Sequence, residues 1–185
     1  SKTTTYKGFD SPIELYIGGQ QMNPANGDIP GIKSIKYDAD SKTYTLTLLG
    51  YTYEKETCDM SEGDHAVIYF NGEDTDNLVI EVEGFNTLTS NAPQGRSAYG
   101  IYALKADLTI QGNGTLNVTA NSSNGRETYG ILVGGVKDHR LTISGDCTIN
   151  AEANANGEPS KIYYWCAIAA GPLNMEGGTV TARAN

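Results

Sequence analysis

The chain has 185 residues, 38% of them hydrophobic, and a formal net charge of −9. That charge repels phosphate, which argues against nucleic acid and anionic membrane surfaces as partners unless a cation bridges them. No apolar run approaches the roughly 20 residues of a membrane-spanning helix, so helical membrane insertion is not expected.

Twenty-two glycines and twelve tyrosines, against three phenylalanines, point to β-structure with many tight turns. From the N-terminus, IELYIGGQQM (13–22) reads as two short apolar pieces around a Gly18-Gly19 turn. YDADSKTYTL (37–46) reads as a second hairpin, turning over Asp38–Lys42. Neither piece fits the pattern that follows. Residues 1–45 are therefore expected to form a cap, and residues 46–185 a run of repeating turns, in one domain covering 1–185.

The repeat is written most plainly in LTIQGNGTLNV (108–118) and LTISGDCTINA (141–151). IEVEGFNTLTS (80–90) and LNMEGGTVTA (173–182) are further copies, and LTLLGYT (46–52) is a degraded one. Their anchoring glycines are Gly50, Gly84, Gly112, Gly145 and Gly177, at intervals of 34, 28, 33 and 32 residues. Upstream lies a second recurring piece, HAVIYF (65–70), AYGIYA (98–103), TYGILV (128–133) and WCAIAA (165–170), aligned on Ile68, Ile101, Ile131 and Ile168. Every piece alternates with period 2, the period of strands.

Three short strands in about 30 residues, repeated about five times, describe a coil in which equivalent strands stack in parallel. The expected fold is all-β: a right-handed parallel β-helix of about four to five three-strand turns with an N-terminal β-hairpin cap. Aligning on the glycines places Leu46 and Ile80 in the column of Leu108, Leu88 in the column of Leu116, and Thr87 in a hydroxyl ladder with Thr115, Thr148 and Thr179. The run GGTVTARAN ends without a polar capping segment. Either the natural chain continues there, or this C-terminal face takes part in end-to-end self-association.

Candidate binding residues follow the same columns. In NGEDTDN (71–77), Glu73, Asp74 and Asp76 cluster on the loop between first and second strands. They are either ligands for calcium, a hard cation that takes oxygen donors, or a solvated turn. Tyr69 and Tyr102 share an outward slot, where exposed rings offer sugars a stacking surface or simply form a cross-strand ladder. Tyr99 and Tyr129 share a slot with the parity of Ile101, which places them inside the coil or at its rim. Arg96 and Arg126 occupy one slot in adjacent turns, as a fork for a uronate carboxylate or as two solvated cations. KIYYWC (161–166) packs Tyr163, Tyr164 and Trp165 together where a long loop re-enters the coil.

Three cysteines, Cys58, Cys147 and Cys166, leave at least one thiol unpaired and make no metal-binding pair. Histidines His65 and His139 fall in different slots. No aligned carboxylate pair of hydrolase spacing stands out.

The run GI-x-A…LTI-x-G-x-GTLNVTA…YGI…LTI-x-G…TV-x-A resembles secreted bacterial right-handed parallel β-helix proteins. Within them it is most similar to carbohydrate-binding domain proteins of anaerobic Firmicutes, over about residues 65–185. The opening IELYIGGQQM…SIKYDADSKTYTLTL resembles a head segment of clostridial and gut-bacterial surface proteins. The resemblance implies a pectate-lyase-like coil, extracellular or at the cell surface, that binds polysaccharide without cleaving it. Two alternatives stand beside that reading: a structural spacer or adhesin segment of a larger surface protein, and a pectate-lyase-like polysaccharide lyase.

Overall fold

The computed structural model describes residues 3–55, 60, 63–135, 137–158, 160 and 164–185. Strands β1 (Thr5–Lys7), β2 (Leu15–Ile17), β3 (Gln20–Gln21) and β4 (Ile32–Asp38) form an N-terminal extension. Both expected hairpins are present. β2 and β3 pair antiparallel around Gly18-Gly19, and β4 pairs antiparallel with β5 (Thr43–Leu49), with Tyr37 opposite Tyr44. β2 also lies antiparallel to the opening of β7 (His65–Glu83), Tyr16 against Tyr69. The extension thus occupies the backbone edge that the first turn would otherwise leave open.

From β5 onward every pairing between turns is parallel, and the coil is a right-handed β-solenoid of about 5 turns. β6 (Thr52–Tyr53), β8 (Phe85–Asn91), β10 (Thr115–Ser123), β13 (Thr148–Asn156) and β16 (Thr179–Ala184) build the five-stranded wall. β5, β7, β9 (Ala98–Gly112), β11 (Glu127–Gly134), β12 (Leu141–Ile143), β14 (Tyr164–Ala169) and β15 (Leu173–Met175) belong to the larger sheet. In two turns the first and second strands are one bent strand, β7 and β9, rather than two strands joined by a loop. The bend is a register irregularity between Asn71 and Asp76, opposite Lys105, which takes a left-handed φ of 57°. The segment 71–77, read from sequence as a loop, therefore lies inside β7.

The isoleucine column is as expected: Ile68, Ile101, Ile131 and Ile168 are successive neighbours. So are Leu108, Leu141 and Leu173, and Ile110, Ile143 and Met175. The two N-terminal copies correct the glycine alignment by two residues. Ile80 pairs with Ile110, and Leu78 with Leu108. Leu88 pairs with Val118, and Thr87 with Asn117 instead of Thr115. The reason is an extra alternation: β7 buries Leu78, Ile80 and Val82 where β9 buries only Leu108 and Ile110 before its glycine. Gly84 therefore turns the corner two residues later than Gly112 does.

The shift sets Asn86, completely buried, beside Leu116. Its side chain replaces apolar packing with three bonds to backbone. Oδ1 accepts from the Tyr51 N–H at 2.8 Å, and Nδ2 donates to the carbonyls of Glu83 at 3.0 Å and Thr115 at 3.3 Å. On the outside of the same wall runs an amide ladder. Asn121 donates to Asn91, Asn154 to Asn121 and Asn185 to Asn154, each at 2.8 Å.

At the C-terminal end the last rung has a neighbour on one side only. Residues in otherwise buried columns stand open there, Leu173 at 55% and Met175 at 48% exposure. Cys147 is buried and Cys166 half-buried, both as free thiols; Cys58 lies outside the described residues.

Candidate functional site

The outer face of the first-strand segments gathers most of the aromatic residues singled out from the sequence. Tyr69 and Tyr102 are neighbours there, ring centroids 5.7 Å apart. Tyr16 of the extension joins at 5.9 Å from Tyr69. On the other side Tyr102 stacks on Tyr99 at 4.9 Å, and Tyr99 on Tyr129 at 6.0 Å with the planes 9° apart.

Tyr99 is on this face because Gly100 breaks the alternation. A Cβ on Gly100 would lie 2.1 Å from Val118 Cγ1, so Gly100 and Ile101 both point inward and Tyr99 turns out. Of the two placements expected for Tyr99, inside the coil or at its rim, the rim holds: it is buried there with Met60 and Ala66. Tyr16 and Glu14, which complete the strip, sit in the extension, where no repeat column could assign them.

The strip is a ladder of rings packed against one another, with Tyr99 buried and Tyr16, Tyr69, Tyr102 and Tyr129 half-buried. Burial, then the bond to Glu127, pushes the Tyr99 phenol up. Its hydroxyl donates to Glu127 Oε2 at 2.7 Å. Burial, then Tyr69, Glu127 and Tyr129, raises Tyr102 to about 12. Burial likewise raises Tyr16, Tyr69 and Tyr129.

Beyond Tyr129 the strip opens into a shallow hollow of about 310 Å³ lined by Tyr129, Tyr164, Trp165, Cys166 and Ala169. Tyr164 pairs with Glu127, and Cys166 with Tyr129. Trp165 shares a column with Thr128 and Ala98, both fully buried. Its strand position is therefore core-facing, so it is Tyr164 that continues the outward strip. Tyr163 lies outside the described residues. Arg126 and Arg96 open the strands of this face in adjacent turns, both exposed. The Arg96 guanidinium folds back over Gly63, its Cζ 3.1 Å from where a Cβ there would stand.

The three carboxylates considered for calcium do not converge. Asp76 Oδ2 accepts from the Glu73 N–H at 2.8 Å. Asp74 turns to other partners, Lys137 Nζ at 2.8 Å and His139 Nε2 at 3.5 Å. His139 Nδ1 in turn lies 3.3 Å from Asp107 Oδ1. Among the described residues no group of three or more His, Cys, Asp or Glu side chains is placed to hold a metal ion. The segment crosses the register irregularity between Asn71 and Asp76, which leaves Glu73 and Asp76 on one hollow and turns Asp74 away to Lys137 and His139.

The hydrogen bond from Lys137 is the largest of the influences that hold Asp74 below the usual carboxylate range. A depressed folded-state value stabilises the fold above the ordinary carboxylate pKa and is lost as pH falls through the lowered one. Lys137→Gln is expected to return the Asp74 titration, followed by NMR, toward the ordinary value. An unchanged titration refutes the assignment.

A second concave surface lies at the corner between second and third strands, a groove of about 710 Å³. Its row of polar side chains is Glu81, Gln111 and Ser144, one per turn; Thr47, next in the column, is buried. Sequence reading passed over it because these residue types repeat no motif.

No family model matches the chain, and neither a curated protein nor a solved structure does.

Proposed function

We propose that this chain is a non-catalytic polysaccharide-binding β-solenoid, working outside the cell or at its surface as one module whose cap is residues 1–45. The observation that carries the reading is the tyrosine strip on the outer face of the first-strand segments. It presents a row of phenol hydroxyls along the coil axis, with Glu14 at one end, Glu127 and Arg126 at the other, and the Tyr129–Tyr164 hollow beyond. Phenol hydroxyls with carboxylate and guanidinium partners are the donors and acceptors that match the hydroxyls of a sugar chain. The acidic surface and the coil of stacked strands suit a long, hydroxyl-rich partner better than a phosphate-bearing one.

The test is affinity electrophoresis through gels holding plant and mucin polysaccharides. At least one gel is expected to retard the protein. Tyr102→Ala, and separately Tyr164→Ala, should weaken that retention about tenfold, as truncation of a central aromatic anchor does. Thermal melts confirm that the variants are folded. Free passage through every gel, with or without added Ca²⁺, overturns the proposal in favour of a spacer segment. Release of unsaturated product from polygalacturonate overturns it in favour of a lyase.

A further inference from the structure

The corner groove has the makings of a second site. Its floor is Leu49 and the corner glycines Gly84, Gly112 and Gly145. Its polar row supplies one carboxylate, amide or hydroxyl per turn, every ~4.8 Å along the coil, close to the length of one pyranose ring. Glu81 is fixed by two neutral donors, Thr47 Oγ1 at 2.9 Å and Gln111 Nε2 at 3.3 Å. Glu83, also in the groove, is neutralised by Lys33 at 2.8 Å. The volume falls within the ~300–1,000 Å³ of small-molecule clefts.

A second, independent feature adjoins the groove's Gly84 in the chain. Phe85 follows Gly84 directly and is 64% exposed, the most open large apolar side chain among the described residues. Its equivalents in the next turns, along the start of the third strand, are Thr115, Thr148 and Thr179. An open ring beside a polar groove costs solvation and packs nothing in the fold.

From this we infer that the groove binds a strand of uncharged pyranose sugars laid along the coil axis. Phe85 stacks on one ring, and Glu81, Gln111, Asn113 and Ser144 take its hydroxyls. Glu81, held by neutral donors, turns uronates away. The inference rests on the reading of the protein as a glycan binder but uses no residue of the tyrosine face.

Isothermal titration calorimetry with cellohexaose, mannohexaose and xylohexaose, and with hexagalacturonate as the charged counterpart, tests it. At least one uncharged hexaose is expected to bind saturably to the parent chain. Phe85→Ala and Glu81→Gln are each expected to weaken that binding about tenfold, and hexagalacturonate should not compete. Phe85 is exposed, so its truncation leaves folding intact as a control on Glu81→Gln. Failure of all three uncharged hexaoses overturns the inference. So does binding that survives both groove substitutions, or competition by hexagalacturonate. Retention in gels that depends on Tyr102 while hexaose binding ignores Phe85 and Glu81 removes the groove and leaves the tyrosine face standing.

Discussion

Asn86→Ala is expected to lower the free energy of unfolding by about 3 kcal/mol, since each buried backbone group left unpaired costs roughly 1–3 kcal/mol and the losses at one site are not additive. The Tyr51 N–H and the Glu83 and Thr115 carbonyls all lose a partner at once. The informative comparison is Asn86→Leu. It supplies an apolar side chain next to Leu116 and so completes the column that the repeat would write. If the site needed only packing, Leu would match or exceed the parent. The orphaned backbone predicts instead that Leu remains destabilised, by an amount close to Ala. Urea denaturation with an unchanged slope measures both, and a leucine variant as stable as the parent refutes the account.

The second large effect is alkaline unfolding. The strip phenols are raised above the ordinary value, chiefly by burial, with Tyr102 at about 12. Tyr44, stacked on Tyr37 outside the strip, is also pushed up to about 12, again mainly by burial. A group whose folded pKa is raised contributes stability that is whole below the unfolded value near 10. That stability is lost as pH climbs through the folded value. Every ring but Tyr99 is partly solvated, and its share is modest. Together they act in a window that opens at about pH 10 and runs through about 12, the value of Tyr102 and Tyr44, against a total stability of only ~5–15 kcal/mol. The protein is expected to lose its circular dichroism cooperatively within that window, with tyrosinate absorbance rising in step. Tyrosines that all ionise near pH 10 while the fold stays intact would refute the burial of the strip.

The fold was legible because a parallel coil writes its columns into the sequence. Ile68, Ile101, Ile131 and Ile168 needed only alignment, and the two hairpins carried their own turn residues. The register of the first copies was not read correctly, although the clue was present. The interval of 28 residues from Gly84 to Gly112 departs from its neighbours because a corner glycine marks where the chain bends, not which rung it occupies. Tyr99 sits at the rim and not inside the coil for a related reason. Alternation assumes an unbroken strand, and Gly100, small enough to lie against Val118, breaks it locally. Glu73, Asp74 and Asp76 looked like one cluster because they are close in sequence, yet the bend of β7 between Asn71 and Asp76 turns Asp74 away from the other two. Phe85 could not be read as the aromatic of a threonine column while the glycine alignment set Thr87 there; the corrected register puts Phe85 beside Thr115.

The amide ladder on the five-stranded wall has a direction. Asn121, Asn154 and Asn185 each donate toward the N-terminal end, and Asn91, Asn121 and Asn154 each accept from the C-terminal side, so the dipoles align and each bond polarises the next. Deamidation of Asn121 would replace its donating nitrogen with oxygen and set two acceptors face to face across the Asn91 contact, while the bond from Asn154 survives. Chemical ageing of a single side chain would therefore cut Asn91 off from the other three amides of the row.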